Sequence, residues 1–170
     1  MAHLRTAPKF NSCTYPSVNN ESPVITVHQI ELPAPGLTQL RTEARNEGYN
    51  FIETLVRQWS AGENRFDAPG EVLCGCTDEG LLVAVGGLTR DPFTTASDVG
   101  RIRRVYVRPA WRNRGFGRAL VASLIEQARK NFSYVRLRAE NTNAARLYES
   151  IGFLPSQESN ATHVLSLVNH

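Results

Sequence analysis

The sequence predicts a mixed α/β fold, an α+β arrangement with one sheet of mixed strand direction and helices on both faces. Three observations predict it. Hairpin-forming strands come early, a strand–helix–strand unit comes late, and the helical segments between them are amphipathic. At 170 residues the chain suits a single domain and can bury a substantial core.

Residues 1–23 are rich in Asn, Ser, Pro and Thr and show no sustained period, so they read as an extended arm. The domain is expected to occupy residues 24–170. Val24–Ile30 alternates apolar and polar residues as a strand does, and Pro33, Pro35 and Gly36 close it. Leu37–Ser60 is helical, with Leu37, Leu40, Ala44, Phe51, Ile52, Leu55, Val56 and Trp59 at three- and four-residue steps. Gly48 interrupts that pattern and predicts two helices. Gly62 and the Asp67–Gly70 cluster end the region.

Val72–Thr77, Leu81–Thr89 and Ile102–Val107 read as strands. Asp78–Glu79–Gly80 makes a hairpin turn between the first two, and Asp91–Gly100 reads as a loop before the third. An amphipathic helix follows from Gly115 to Lys130, with Arg129 and Lys130 in its last turn, where the helix dipole favours cations. Tyr134–Ala139 is a further strand. Asn143–Ser150 is a short helix stopped by Gly152, and Thr162–Val168 is a last strand.

The composition, 41% hydrophobic and 21% charged, is that of an ordinary globular domain. No apolar run approaches the ~20 residues that span a bilayer. The N-terminus lacks a signal-type apolar stretch. A cytoplasmic protein without a membrane partner is expected. Cys74 and Cys76 lie two apart in a strand, the wrong spacing for a zinc knuckle or a redox pair, and read as packing residues. His3, His28, His163 and His170 show no ligand spacing, so no metal is expected.

The net charge of +3 is mild but unevenly spread. Between Val99 and Ile125 stand seven arginines and no Asp or Glu. Such a block is either a solvated face or an anion site. Within it the strand Val105–Tyr106–Val107 leads through Arg112–Asn113–Arg114–Gly115–Phe116–Gly117 into a helix. A helix start leaves four N–H groups unpaired and concentrates about half a positive charge. The two glycines let the backbone approach a phosphate closely. Arg112, Arg114 and Arg118 stand where the dipole disfavours cations, which makes sense if an anion sits there. The plainer reading is a Gly-rich turn with solvated arginines.

The loop has neither the Lys-Ser/Thr of a P-loop nor the third glycine of a dinucleotide turn. The stretch VYVRPAWRNRGFGRAL resembles the pyrophosphate-loop motif, Arg/Gln-x-x-Gly-x-Gly/Ala, of the GNAT N-acetyltransferase superfamily. Asn141 through Phe153 is similar to that family's Asn-x-x-Ala-x-x-Leu-Tyr-x-x-x-Gly-Phe segment, with Ala144, Leu147, Tyr148 and Gly152 in register. The resemblance covers residues 24–168 and leaves out the arm.

The resemblance implies a mostly antiparallel sheet splayed between its fourth and fifth core strands, with the pantetheine arm of acetyl-CoA in the gap. Val105, Tyr106 and Val107 would line that arm, the backbone groups of Val105 and Val107 pairing with its amides. The motif opened by Arg112 would cradle the pyrophosphate with the amides of Asn113, Arg114, Gly115, Phe116, Gly117 and Arg118. Asn141 and Ala144 would meet the cofactor from the later segment, although Asn141 equally reads as a helix N-cap. Tyr148 matches the residue that protonates the departing thiolate, and also reads as a core aromatic.

The implied function is acetyl transfer from acetyl-CoA to an amine by direct attack, with the Val107 N–H as oxyanion donor. Glu43, Glu47, Asp98 and Glu140 are the carboxylates open to the role of base. Arg103 and Arg104 read first as salt-bridge partners across the sheet; the alternative is an acceptor with an acidic group. Two other functions compete. One is a non-catalytic CoA-binding sensor or scaffold. The other is a nucleic-acid binder, against which no helix-turn-helix or aromatic platform is evident. A homodimer is possible, as the family often forms dimers.

Overall fold

A computed structural model describes residues 10, 12–15 and 24–168. In chain order the elements are β1 (Cys13–Tyr15), β2 (Ile25–Gln29), α1 (Leu37–Asn46), α2 (Phe51–Ala61), β3 (Val72–Asp78), β4 (Leu81–Arg90) and β5 (Val99–Val107). A short 3-10 turn (Pro109–Trp111), α3 (Phe116–Ala128), β6 (Tyr134–Leu137), α4 (Thr142–Ile151), β7 (Leu154–Pro155) and β8 (His163–Ser166) follow. The eight strands form one sheet in the order β1-β2-β3-β4-β5-β6-β8-β7. Every neighbouring pair is antiparallel except β5 and β6, which run parallel through the α3 crossover.

Local chemistry explains most boundaries. Gly48 takes a positive φ of 85° and separates α1 from α2, as its place in the apolar pattern predicts. Glu79 and Gly80 both take positive φ, the conformation a two-residue hairpin turn requires, and join β3 to β4. At Gly36, just before α1, a Cβ would lie 2.5 Å from the Leu82 nitrogen, so only glycine fits. The Leu82 N–H there donates to the Pro35 carbonyl at 2.8 Å, tying the α1 entry to β4.

Helices cover both faces, as expected, and the sheet separates two cores. On one face Leu37, Leu40 and Ala44 of α1 and Ile52 and Leu55 of α2 pack on Leu73, Leu82, Val85 and Tyr106. On the other, Ala119, Leu120, Val121 and Leu124 of α3 pack on Val72, Cys74, Cys76 and Ile102. Alternation along β3 does the sorting, Leu73 pointing one way and its neighbours the other. Cys74 and Cys76 are fully buried packing residues, and burial pushes the Cys76 thiol up to about 12.

Besides shifts of a few residues at the ends of α3, β6, α4 and β8, three features differ from the sequence reading. Cys13–Tyr15 lies within the stretch read as an arm, yet it pairs with Ile25–Val27 as an edge strand. β5 begins at Val99 rather than Ile102, because Gly100 pairs with Arg90 of β4, the Val99 carbonyl accepts from the Asp91 N–H at 2.9 Å, and both residues pair with Tyr134 and Val135 of β6. A two-residue strand, β7, also pairs along β8. The other residues of the arm except Phe10 and Ser12, along with Asn169 and His170, lie outside the described residues. Among the described residues no helix is long and apolar enough to cross a membrane.

Candidate active site

The candidate site begins where β5 and β6 part. Their parallel pairing covers only Val99, Gly100 and Arg101 against Tyr134, Val135 and Arg136. Beyond that, β6 ends at Leu137 while β5 continues to Val107. The Arg108 N–H donates to the Val83 carbonyl at 2.9 Å, on the β4 side. Backbone groups alternate sides along a strand, so those of Val105 and Val107 point into the gap.

A bulge sits at the start of the gap. Gly87 pairs with Arg103 and Val85 with Tyr106, so Arg104 and Val105 stand opposite the single residue Gly86. Arg104 takes a positive φ of 62°, a strained conformation for a residue with a Cβ. The bulge breaks the alternation expected of Arg103 and Arg104, and both line one cavity of about 230 Å³. Tyr148 and Glu140 line it as well.

Asn141 positions Tyr148 by starting α4. Its side-chain Oδ1 accepts from the Ala144 N–H at 2.9 Å, so the N-cap reading holds, and its Nδ2 donates to the Tyr49 hydroxyl at 3.0 Å. Tyr148 packs edge-on against Phe153, with ring centroids 5.8 Å apart, and is buried apart from its place on the cavity wall. Its hydroxyl makes no hydrogen bond to a described residue. Burial, and then the nearby Glu140 carboxylate, hold its pKa above the usual phenol value, so the phenol stays protonated at neutral pH.

The glycine loop forms the other end of the gap. Asn113 (φ 61°) and Gly115 (φ 90°) adopt left-handed conformations that turn the chain into α3. No side chain caps this helix. Its first hydrogen bond runs from the Ala119 N–H to the Gly115 carbonyl at 3.0 Å. The amides of Phe116, Gly117 and Arg118 therefore have no partner within the helix. Gly117 also has a packing reason, since a Cβ there would come within 3.2 Å of Leu147 in α4.

The three arginines of this loop divide differently from the sequence expectation. Arg112 turns away from the helix start: its Nη atoms donate to both Glu47 oxygens at 2.6 and 2.8 Å, and its Nε donates to the Val107 carbonyl at 2.9 Å. Arg118 donates to the Ser150 hydroxyl at 2.6 Å. Only Arg114 keeps an exposed guanidinium without a partner among the described residues. Arg112 is thus neutralised by Glu47, while Arg114 and Arg118 keep their charge beside the helix start without a carboxylate among the described residues.

The clasp built on Glu47 was not legible in the sequence. Glu47 also accepts from the Tyr106 hydroxyl at 2.5 Å, and Arg112 lies over the Tyr106 ring at 5.4 Å. Arg112, before Tyr106, holds the Glu47 carboxyl below the usual carboxylate range. Glu43 is likewise bound to Arg108, at 2.8 and 3.0 Å. Asp98 lies before β5 and outside the cavity lining. Of the four carboxylates weighed as a base, only Glu140 faces the cavity. Tyr49, which the motifs did not single out, joins α2's approach to the start of α4 through Asn141. The adjacent glycines Gly86 and Gly87 inside β4 were a readable sign of the bulge.

The chain is similar to known proteins in sequence and in fold. Over an 86-residue stretch the chain is 33% identical to the N-alpha-acetyltransferase RimI of Mycobacterium tuberculosis, covering 51% of this chain and 54% of that protein. The chain thus matches only about half the length of this curated relative. A protein of Exiguobacterium sp. 255-15 described as an acetyltransferase superposes with a TM-score of 0.75 at 24% identity, covering 84% of this chain and 93% of the other. The Escherichia coli ribosomal-protein-S18-alanine N-acetyltransferase superposes with a TM-score of 0.61 at 20% identity, over 86% and 96% of the two chains. A structure of yncA from Salmonella typhimurium with acetyl-CoA superposes with a TM-score of 0.50 at 18% identity, over 71% and 74%. The model of the acetyltransferase (GNAT) family matches residues 34–153, a span that takes in the parted strands, the glycine loop and α4, and the chain belongs to that family.

Proposed function

We propose that this chain transfers the acetyl group of acetyl-CoA to an amine by direct attack. One observation carries the reading: an open strand edge joins an uncapped helix start to a cavity that holds a protonated phenol. The residues present fit the cofactor. The backbone groups of Val105 and Val107 would pair with the pantetheine amides, with Tyr106 between them turned toward β4. The amides of Phe116, Gly117 and Arg118, at the turn made by Asn113, Arg114 and Gly115, would hold the pyrophosphate, and the exposed Arg114 guanidinium adds charge. Arg112 contributes through its backbone and by fixing the loop, because its side chain is already held by Glu47. Asn141 and Ala144 set the helix that borders the gap.

Acetyl-CoA supplies an acetyl group already activated as a thioester. The chain's own residues then position and move protons. The Val107 N–H points into the gap, where it would hold the carbonyl oxygen as negative charge develops. Tyr148, kept neutral by burial, would donate its proton to the departing sulfur. Glu140 faces the same cavity and would accept the amine proton, directly or through water.

The test is release of free CoA over a panel of amines, amino acids, polyamines and peptides. Turnover that drops at least 10-fold in Tyr148→Phe, with acetyl-CoA affinity kept, supports the reading. Failure of every amine to discharge the thioester, with acetyl-CoA still bound, overturns it in favour of a CoA-binding sensor or scaffold.

A further inference from the structure

The cavity at the parted strands has an unbalanced charge. Four guanidiniums line it, those of Arg101, Arg103, Arg104 and Arg138, against the single carboxylate of Glu140. Two of the four are occupied. Arg101 faces Asp91 at 3.6 Å and donates to the Asn160 carbonyl, and Arg138 donates to the Ser159 carbonyl. Arg103 and Arg104 are different. Neither forms an ion pair with a described residue, Asp91 and Glu71 acting on Arg103 and Glu140 on Arg104 only from beyond contact distance, and the Nε of each is buried without a hydrogen-bond partner. Among the described residues the one side-chain hydrogen bond of Arg104 is a long one, 3.5 Å, to Gln58.

This arrangement is unusual within the molecule itself. Other shielded arginines have carboxylate partners: Arg108 has Glu43, and Arg136 has Asp91. A half-buried guanidinium whose Nε is shut off from water without a partner is costly, and folding alone gives no reason to hold two of them side by side. The bulge increases the cost, because Arg104 adopts its strained φ at the point where both side chains reach the cavity. Burial, and then the adjacent Arg103, lower the Arg104 pKa to about 10. A positive field of this kind is relieved by an anion.

We propose that the acceptor is a small amine that also carries an oxyanion, a carboxylate or a phosphate, which Arg103 and Arg104 bind. This rests on the acetyl-transfer reading above. The anion would seat on the two arginines, and the amine would lie toward Glu140 and Tyr148 on the same cavity wall. The volume of about 230 Å³ suits a compact molecule rather than a folded partner.

Matched pairs of acceptors test this: β-alanine against propylamine for the carboxylate, and O-phosphoethanolamine against ethanolamine for the phosphate. A short neutral peptide is the third arm. Turnover is measured alongside direct binding of each amine by calorimetry, for the wild type and for Arg103→Met and Arg104→Met. The expected result is a preference for one anionic amine over its neutral match that falls by about 10- to 100-fold in either variant, the range of a charge-assisted hydrogen bond. The acetyl-CoA KM stays unchanged, and the melting temperature is unchanged or raised, since a half-buried charge without an ion pair has been removed. Arg104→Lys recovers part of the preference.

Equal or better use of neutral amines or of the peptide overturns the proposal while leaving acetyl transfer standing. So does a clear fall in melting temperature in both Met variants with the preference kept, which marks the arginines as structural. Arginine-dependent binding of an anionic amine with no turnover of any amine supports the anion site and overturns the transfer reading instead. Absence of both binding and turnover of anionic amines overturns the proposal.

Discussion

Replacing Glu47 with Ala removes the clasp that joins the end of α1 to β5 and the glycine loop. Its cost can be worked from three hydrogen bonds. Two run from Arg112, whose side chain is 38% exposed, so that guanidinium rehydrates and the loss is about 0.5–1 kcal/mol. The third comes from the Tyr106 hydroxyl, on a residue only 3% exposed, and stranding that donor costs about 1–2 kcal/mol. The sum is about 2 kcal/mol, or a melting temperature lower by about 4–8 °C for a chain of this size. Urea unfolding at pH 7 measures it. Tyr106→Phe provides the control, because it removes the donor that Glu47→Ala would strand. In that background Glu47→Ala should cost under about 1 kcal/mol. The carboxyl is held low by Arg112, so its folded value lies below its unfolded one. The contribution is therefore present above the unfolded value and fades as pH falls through the folded one. A cost below about 0.5 kcal/mol, or the same cost with and without the Tyr106 hydroxyl, refutes the reasoning.

Glu53, bound by Arg41 and Arg45, has its carboxyl drawn down to about 2. Its stabilisation should be complete above about pH 4.5 and be lost as pH falls toward 2; with the side chain a third exposed it is about 1 kcal/mol, so Glu53→Gln should trail the wild type at pH 7 and match it near pH 2, and a gap constant with pH refutes this. Asn141→Ala should cost about 0.5–2 kcal/mol by uncapping α4, while Asn141→Asp keeps the acceptor and most of that stability; equal thermal shifts for the two refute the cap role.

Much of the fold was legible because its signals are local. Gly48 divides α1 from α2, Glu79 and Gly80 make the β3–β4 turn, and Gly152 ends α4, each through the conformation of one or two residues. The apolar steps of α1, α2 and α3 name their buried faces directly. The beginning of β5 was not legible, since Val99 and Gly100 are strand residues only because two neighbours pair with them. Cys13–Tyr15 has no apolar period and becomes a strand only against β2.

The same division runs through the site. The sequence by itself determined the family, the glycine loop that starts α3, the cap at Asn141 and the place of Tyr148 on α4, because each depends on residues close together in the chain. Only the tertiary structure decided which arginines are free. Arg112 meets Glu47 across 65 residues and Arg108 meets Glu43 across 65, whereas Arg103 and Arg104 form no ion pair with a described residue. A guanidinium's partner is set by which distant chain segment the fold brings within about 3 Å, and no periodicity records that distance.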